Sequence, residues 1–262
     1  MKIFQVDAFT ERPFNGNPAA VCMVEGGIDD ATCQAIATEM NLSETAFVEE
    51  LEGEFNYSLR WFTPAAEVDL CGHATLASGH VLFSEGINME NNTVRFQTRS
   101  GELLVHQDKD MLVMDFPARL SANMPLLEEF EEMFAGSEIV AAARDKYNLI
   151  LEMPTEAVVR KATPNMEAIA EHSDQGVIIT APGDRYDFVS RFFGPNVGVP
   201  EDPVTGSAHC QLGPYWAKKL GKNSFRAYQA SARGGEIGVE VKEDRCLLKG
   251  YAVTVFRGEL AI

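Results

Sequence analysis

The chain has 262 residues, of which 45% are hydrophobic, enough to bury a core in one large domain or in two moderate ones. Its 22 basic and 39 acidic side chains give a formal net charge of −17, and the acids are spread along the sequence. This charge argues against nucleic acid and anionic membranes as partners. No run of about eighteen apolar residues occurs, and the first residues lack a secretory apolar segment, so we expect no membrane span.

The cysteines are odd in number, widely spaced and form no CxxC pair. This pattern favours neither a disulfide framework nor a zinc ribbon, and it fits a reducing compartment. We therefore predict a cytoplasmic protein. The five are Cys22, Cys33, Cys71, Cys210 and Cys246.

In chain order, alternating apolar residues predict a strand over 2–9, a turn rich in Pro, Gly and Asn, and a second strand over 19–24. Asp29 and Asp30 suit the start of a helix that runs to about Met40. A second helix at 73–83 has apolar and small residues on every face, which is typical of a fully buried helix. Further strands are predicted over 45–50, 55–62, 93–98, 102–107 and 111–116.

The segment 117–125 contains two prolines and loses periodicity, which predicts a linker. After it the order of the first half repeats. Helices are predicted over 126–134, 165–171 and 207–220. Strands are predicted over 148–153, 157–161, 176–180, 186–193, 225–230, 236–241 and 246–256.

Two stretches of the chain, 60–78 and 191–209, share one construction: an aromatic strand, a proline-containing loop and a helix. Prolines 195, 200 and 203 should exclude regular pairing through the second loop. The first helix is opened by His73 and the second by Ser207, and Cys71 falls opposite Asp202. The matched residues, 131 positions apart, are Arg60 and Arg191, Phe62 and Phe193, Pro64 and Pro195, and Val68 and Val199.

This repetition predicts an α+β fold of two pseudo-symmetric halves, each a barrel-like, mostly antiparallel sheet around a central helix. The first domain should comprise 1–116, with 251–262 as a strand that could return to it. The second should comprise 117–250. We expect the active site in the groove between the two halves, with helix starts that attract anions.

Glu44 stands between a predicted helix and a predicted strand, at a loop end. A solvated loop carboxylate is the more ordinary interpretation. If Glu44 lies in a closed groove, burial raises its pKa and prepares it to hold and return a proton.

His73 could act as acid, base or hydrogen-bond donor, or it could be a structural histidine at a helix start. Asp202 precedes a proline, so an Asx turn or a helix cap competes with a catalytic role. Cys71 could be a nucleophile or proton carrier, although a buried cysteine of this kind is more often inert.

Gly72, Gly206 and Ser207 could bind a substrate carboxylate through helix N–H groups and a hydroxyl, and capping is compatible with that role. Asn17 could line the same groove or serve only in a turn. The other four histidines show no metal-ligand spacing, so we predict no metal. No nucleotide-binding, zinc-protease or lipase-type motif occurs, which leaves these classes without support.

The chain contains the motifs NGNPAAV (15–21), LSETAFV (42–48), RWFTPAAEVDLCGHAT (60–75), EDPVTGSA (201–208) and ARGGEIGVEV (232–241). Taken together, these five motifs resemble the PhzF-like family of phenazine-biosynthesis isomerases, which shares the fold of diaminopimelate epimerase. The resemblance spans nearly the whole chain, and it implies a homodimer. We expect no cofactor, because an unsaturated carboxylate held by two helix N-termini can accept the charge that is left when a proton leaves carbon. In the related epimerases two cysteines carry out acid/base catalysis, whereas this chain has Cys71 at one position and Asp202 at the other.

The resemblance implies that Glu44 is the general acid/base that moves a proton between carbons of a small carboxylate substrate. It implies that His73 and Asp202 assist proton transfer. Substrate carboxylate binding would fall to Gly72, Gly206 and Ser207. Two alternatives stay open at this point: an amino-acid racemase or epimerase that uses Cys71, and a non-catalytic small-anion binding protein. The sequence does not identify the substrate.

Overall fold

A computed structural model describes residues 1–52, 57–87 and 90–262. The chain forms two compact units. Unit 1 comprises Met1–Phe116 and Leu248–Ile262, and unit 2 comprises Pro117–Leu247. Both combine β-sheet with α-helices, as the sequence predicts.

The described residues of unit 1 form two α-helices and a sheet of mostly long strands. The strands of its first segment are β1 (Lys2–Ala8), β2 (Asn17–Val24), β3 (Glu44–Glu50), β4 (Tyr57–Phe62), β5 (Glu67–Val68), β6 (Thr93–Thr98), β7 (Gly101–Asp108) and β8 (Met111–Pro117), and the helices are α1 (Asp30–Met40) and α2 (Gly72–Ser84). The predicted start of β4 at Phe55 lies outside the described residues.

The strands of unit 1 pair in a fixed alternation. β1 and β2 are antiparallel, β2 and β3 parallel, β3 and β4 antiparallel, β4 and β6 parallel, and β6 and β7 antiparallel. The two parallel pairs occur where α1 and α2 connect the strands, because parallel neighbours require a crossover. The helix α2 therefore lies within one crossover of the unit.

Unit 2 contains four helices and the strands β9 to β17. The strands are β9 (Ala122–Met124), β10 (Ala141–Arg144), β11 (Asn148–Glu152), β12 (Gly176–Pro182), β13 (Phe188–Gly194), β14 (Val199–Asp202), β15 (Ser224–Gln229), β16 (Gly235–Lys242) and β17 (Arg245–Gly250). The helices are α3 (Glu128–Met133), α4 (Glu156–Lys161), α5 (Met166–His172) and α6 (Gly206–Leu220). The last strand of the chain, β18 (Ala252–Glu259), pairs antiparallel with β1 of unit 1.

Unit 2 repeats the pairing order of unit 1. β10 and β11 are antiparallel, β11 and β12 parallel, β12 and β13 antiparallel, β13 and β15 parallel, and β15 and β16 antiparallel. Helix α6 lies in the second crossover, where unit 1 has α2. The two units are thus copies of one topology.

Two arginines at matched positions make the same contacts in both units. Arg60 holds both oxygens of the Glu67 carboxylate at 2.8 Å, and its guanidinium lies 5.0 Å from the ring centre of Phe62. Arg191 holds Glu201 at 2.7 and 3.0 Å and lies 4.9 Å from the ring centre of Phe193. Each bidentate pair ties a long strand to the short strand, β5 or β14, that leads toward the central helix.

The central helices α2 and α6 are enclosed by side chains of their own units. In α2 every residue from His73 to Gly79 is buried, and the helix packs on β1, β2, β3, β7 and β18. A glycine seven residues after the first residue of each helix allows close approach to a strand. A Cβ at Gly79 would lie 2.7 Å from Val105 of β7, and one at Gly213 would lie 2.9 Å from Val239 of β16.

Each unit has its own apolar core of aromatic and aliphatic side chains. Trp61, Leu76 and Phe96 are among the largest fully buried side chains of unit 1. Phe193 packs on Phe134 in unit 2, with the ring centres 5.6 Å apart. In the part of the chain that the structure describes, no helix is both long and apolar enough to span a bilayer.

Three predicted segments differ in the structure. The predicted strand 157–161 is helix α4, because Thr155 caps its start and Glu156 pairs with Arg160 one turn later. The predicted linker contains the short strand β9, which pairs with β10. The predicted strand 246–256 is two strands, β17 and β18, separated at Tyr251. Pairing through the second proline loop is irregular, as predicted, because β14 joins β13 with a shift of register.

We predict that Gly79→Ala destabilises the protein, because the added methyl group would overlap the stiff, buried side chain of Val105. Overpacking costs about 1 to 3 kcal/mol, against up to about 1 kcal/mol that alanine gains over glycine within a helix. Denaturant unfolding, compared at equal slope, measures the difference.

The double variant Gly79→Ala/Val105→Ala is the control. It should lose less stability than the sum of the two single variants, because the shorter side chain makes room for the methyl group. If the changes in the free energy of unfolding of the two single variants simply add in the double variant, the glycine is not required for this contact.

Candidate active site

Asn17, Glu44 and His73 lie together in unit 1. Asn17 is the first residue of β2, Glu44 is the first residue of β3, and His73 is in the first turn of α2. Because β2 and β3 are parallel neighbours, their first residues lie at the same edge of the sheet. The sequence separates these residues widely, and the two crossovers bring them to one place.

The imidazole of His73 is buried between two side chains. The Asn17 amide nitrogen lies 3.1 Å from Nδ1, and the Glu44 carboxylate oxygen Oε2 lies 3.2 Å from Nε2. An amide nitrogen can only donate, so Nδ1 accepts and the proton of a neutral ring is on Nε2, facing Glu44. The Glu44 oxygen and His73 Nε2 are close together, but they are not aligned as a hydrogen bond.

Burial determines the protonation state of His73. Removal from water lowers the pKa of this imidazole to about 3. The ring is therefore neutral near pH 7. The contact with Glu44 therefore joins a neutral N–H group and a carboxylate. It is not an ion pair, because the ring carries no charge.

Ser43 is a site residue that the sequence analysis missed. Its hydroxyl lies 3.5 Å from the Asn17 side-chain oxygen, an orientation that leaves the amide nitrogen facing His73. Asn17 itself is fully buried, so its place is in the site and not in an exposed turn. The sequence could have indicated Ser43 through its position immediately before Glu44 in the motif LSETAFV.

Cys71 lies on the other side of the same imidazole. It is the N-cap residue of α2, its side chain makes no capping hydrogen bond, and its sulfur lies 3.4 Å from His73 Nδ1. Glu44, Cys71 and His73 each offer a donor atom, and these atoms lie within 4.8 Å of one another. The N–H groups that begin α2, starting at Gly72, carry the positive end of the helix dipole.

The remaining predicted residues lie in unit 2. Asp202 ends β14, and its carboxylate accepts a hydrogen bond from the Thr205 hydroxyl. Gln229 fixes the same loop: it donates to the Asp202 carbonyl at 2.7 Å and accepts from the Thr205 N–H at 2.8 Å. The contact between Asp202 and Thr205 thus holds the loop, which is the structural role that the sequence analysis set beside a catalytic one. Gly206 and Ser207 are the first two residues of α6, whose N-cap, Thr205, makes no side-chain cap.

Unit 2 lacks the acid of unit 1 at the equivalent position. Thr45 pairs with Phe62 in unit 1, and Val177 pairs with the matched Phe193 in unit 2, so Glu44 corresponds to Gly176. A Cβ at Gly176 would lie 2.4 Å from the ring of Phe192. The aromatic ring thus fills the space that a carboxylate occupies in unit 1.

Comparison with known proteins agrees with this architecture. The family model for phenazine biosynthesis-like proteins, PhzC-PhzF, matches residues 6–258. An uncharacterized isomerase of Pseudomonas aeruginosa is 47% identical over 100% of this chain and 99% of its own length. The chain belongs to the PhzC-PhzF family. It is an enzyme of the PhzF-like isomerase type, as the sequence motifs predict.

Solved structures confirm the predicted fold. The crystal structure of a PhzF family protein from Enterococcus faecalis matches with a TM-score of 0.94 and 44% identity, over 100% of this chain and 99% of that one. A probable proline racemase from Agrobacterium radiobacter matches with a TM-score of 0.64 at 10% identity, covering 100% of this chain and 93% of that one. The second likeness shows the fold alone, the epimerase-like arrangement of two similar α/β units.

Unit 2 carries a buried histidine in its own central helix. His209 Nδ1 donates to the Thr205 carbonyl at 2.8 Å, and Nε2 has no hydrogen-bond partner in the described part of the chain. Burial lowers the pKa of this imidazole from 6.5 to about 4. The folded protein therefore holds His209 neutral under conditions where the unfolded chain protonates it.

We predict that His209 destabilises the fold on acidification. The unfolded state binds the extra proton between pH 6.5 and about 4, so stability falls as pH drops through this window. At about 1.4 kcal/mol per pKa unit, the full loss is about 3 kcal/mol. Unfolding measured against pH should show a weaker acid dependence in His209→Asn, which keeps a donor for Thr205. Equal slopes in both proteins would contradict the assignment.

Proposed function

We propose that the protein is a cofactor-independent isomerase that moves a proton between carbons of a small carboxylate substrate. The observation that carries this proposal is the placement of Glu44 at the start of β3, 3.2 Å from a buried and neutral His73. A carboxylate in such a place has a fixed orientation and limited contact with water. Both properties suit a group that must remove and return one proton.

In the proposed reaction the Glu44 carboxylate takes a proton from a substrate carbon. The electron pair of the broken C–H bond delocalises into an adjacent unsaturated carboxylate. The Glu44 carboxylic acid, whose proton exchanges with water between the two transfers, then delivers a proton to a different carbon as the electron pair shifts. Atoms and electrons balance without an oxidant, a reductant or a second substrate.

His73 would support the proton transfer without exchanging its own proton. Its Nε2–H faces Glu44 and stabilises the carboxylate before and after each transfer. Asn17 holds Nδ1 and thus fixes the tautomer and the plane of the ring. The N–H groups at the start of α2, from Gly72 onward, would bind a substrate carboxylate and stabilise the charge that develops on it.

The roles of Asp202, Gly206 and Ser207 stay predictions drawn from the sequence. Gly206 and Ser207 begin a helix without a side-chain cap, which suits carboxylate binding. Asp202 would orient the substrate in addition to holding the loop through Thr205.

Family membership in an isomerase group sets aside the non-catalytic alternative. The racemase alternative keeps one supporting observation, the Cys71 thiol 3.4 Å from His73. Because the matched position in unit 2 is Asp202, a mechanism with two thiols has no second cysteine. A cytoplasmic location and a homodimer also stay proposals. The five cysteines are buried and none of them forms a disulfide, which supports a reducing compartment.

We expect Glu44→Gln to abolish substrate deuterium exchange. A panel of small unsaturated carboxylates and amino acids, incubated with enzyme in D2O and followed by NMR, identifies compounds that exchange. The amide cannot accept the proton, so exchange should fall by about 100-fold or more. Glu50→Gln is the matched control, an exposed glutamate at the far end of the same strand.

The same assay distinguishes the alternative enzyme. If exchange at the α-carbon of an amino acid persists in Glu44→Gln and disappears in Cys71→Ser, the protein is a racemase and the proposal is wrong.

A second set of variants separates the two possible roles of Asp202. Asp202→Asn keeps an oxygen that can accept from the Thr205 hydroxyl but removes the charge. If Asp202 contacts substrate, exchange should fall about tenfold or more while thermal stability changes little. Thr205→Val removes the loop contact and retains the carboxylate. If Thr205→Val reproduces the loss of exchange and Asp202→Asn does not, Asp202 acts only by fixing the loop.

A further inference from the structure

Cys71 has no task in the proposed proton transfer, although its thiol lies against the imidazole that Glu44 also contacts. We propose that Glu44, Cys71 and His73 together form a zinc-binding site and that bound Zn²⁺ inhibits the enzyme. The first half of this inference rests on the positions of the three side chains. The second half rests on the proposed function.

The donor set has the chemistry that zinc prefers. A thiolate, an imidazole and a carboxylate are all ordinary ligands of Zn²⁺, and three protein ligands with one open position is a common arrangement. The soft sulfur disfavours Mg²⁺ and Ca²⁺, which take oxygen ligands. The two negative ligands would neutralise the charge of the ion, so the bound state suits a buried place.

The three side chains lie close enough for one ion to contact all of them. Bond lengths near 2.3 Å to sulfur and about 2.0 to 2.2 Å to nitrogen and oxygen place neighbouring ligand atoms about 3.5 Å apart. The sulfur of Cys71 is already 3.4 Å from His73 Nδ1. Glu44 contacts the other ring nitrogen, Nε2, at 3.2 Å, so a single ion requires its carboxylate to turn toward the nitrogen that Cys71 contacts. One donor atom from each of the three residues already lies within 4.8 Å of the others, which keeps this movement short.

The backbone already holds the three ligands near this arrangement. Cys71 and His73 are two residues apart at the start of a buried helix, and Glu44 begins a strand on which that helix packs. Little chain entropy is lost when such anchored side chains bind an ion. Metal at Nδ1 would displace the Asn17 amide that lies 3.1 Å from it.

The other cysteines lack such surroundings. Cys22 and Cys33 belong to an apolar core of unit 1, where burial raises the pKa of the Cys22 thiol to about 12 and that of the Cys33 thiol to about 11. In residues 1–52, 57–87 and 90–262, Glu44, Cys71 and His73 are the only acid, cysteine and histidine group with metal-ligand proximity.

Cobalt titration tests the site without reference to activity. Tag-free protein is titrated with Co²⁺ and followed by absorption, because a cysteine ligand produces an intense thiolate-to-cobalt charge-transfer band. We expect one equivalent to bind with this band, and Zn²⁺ to displace it and to raise the melting temperature. Cys71→Ser should lose the band and bind Zn²⁺ at least about tenfold more weakly.

Two further variants keep the test decisive. Cys210→Ser, at another buried cysteine, should retain the band and the zinc affinity. Glu44→Gln should weaken zinc binding while keeping the cysteine and the band, which covers the case that Cys71→Ser does not fold. The inference is wrong if cobalt binds without a thiolate band, if Cys71→Ser binds zinc as tightly as the wild type, or if no stoichiometric binding occurs.

Deuterium exchange tests separately whether bound Zn²⁺ inhibits the enzyme. One equivalent of Zn²⁺ should stop exchange by the wild type, and excess chelator should restore it. Metal binding with no exchange under any condition would overturn the proposed function and leave the site standing. Exchange that depends on Glu44 in a protein that binds no metal would overturn the zinc site alone.

Discussion

The contact on which the site depends is the burial of the His73 imidazole between an amide and a carboxylate. Without water, each ring nitrogen needs a polar neighbour, and a neutral ring needs one donor and one acceptor. Asn17 donates to Nδ1 at 3.1 Å, and Glu44 is the polar neighbour of Nε2 at 3.2 Å, a close contact that is not aligned as a hydrogen bond. These neighbours come from the first residues of β2 and β3, so the parallel pairing of two strands fixes the tautomer of a histidine on a helix.

Duplication explains both the shared framework and its asymmetry. Each unit keeps the arginine pair beside the short strand and the glycine that lets the central helix approach its sheet. The positions that face the ends of the strands have diverged. At the position of Glu44, unit 2 has Gly176, and the ring of Phe192 fills the space beside it. Packing constrains the framework of both units, whereas the space at these end positions is filled in two different ways.

The sequence predicts the central helices and most strands because their patterns are long and regular. It also finds Glu44, His73 and Asn17, since they stand in compact motifs at element boundaries. It misses α4, whose six residues carry too few periods to overcome the β-branched pair Val158 and Val159. The roles of Ser43 and Gln229 could not be predicted, because their contacts depend on how distant strands and loops pack.

The two central helices, α2 and α6, lack the side-chain caps that would stabilise their first turns. Helices α1, α4 and α5 are capped by side chains of Asp29, Thr155 and Asn165. The N-cap residues of the central helices are Cys71 and Thr205, and neither side chain caps its helix. The short helix α3, whose N-cap is Leu127, also lacks a side-chain cap. A missing cap costs about 1 kcal/mol, and a serine or aspartate would remove that cost. A bound anion would satisfy the same N–H groups, so uncapped starts on the two best-buried helices are expected where the ligand, and not the protein, completes the helix end.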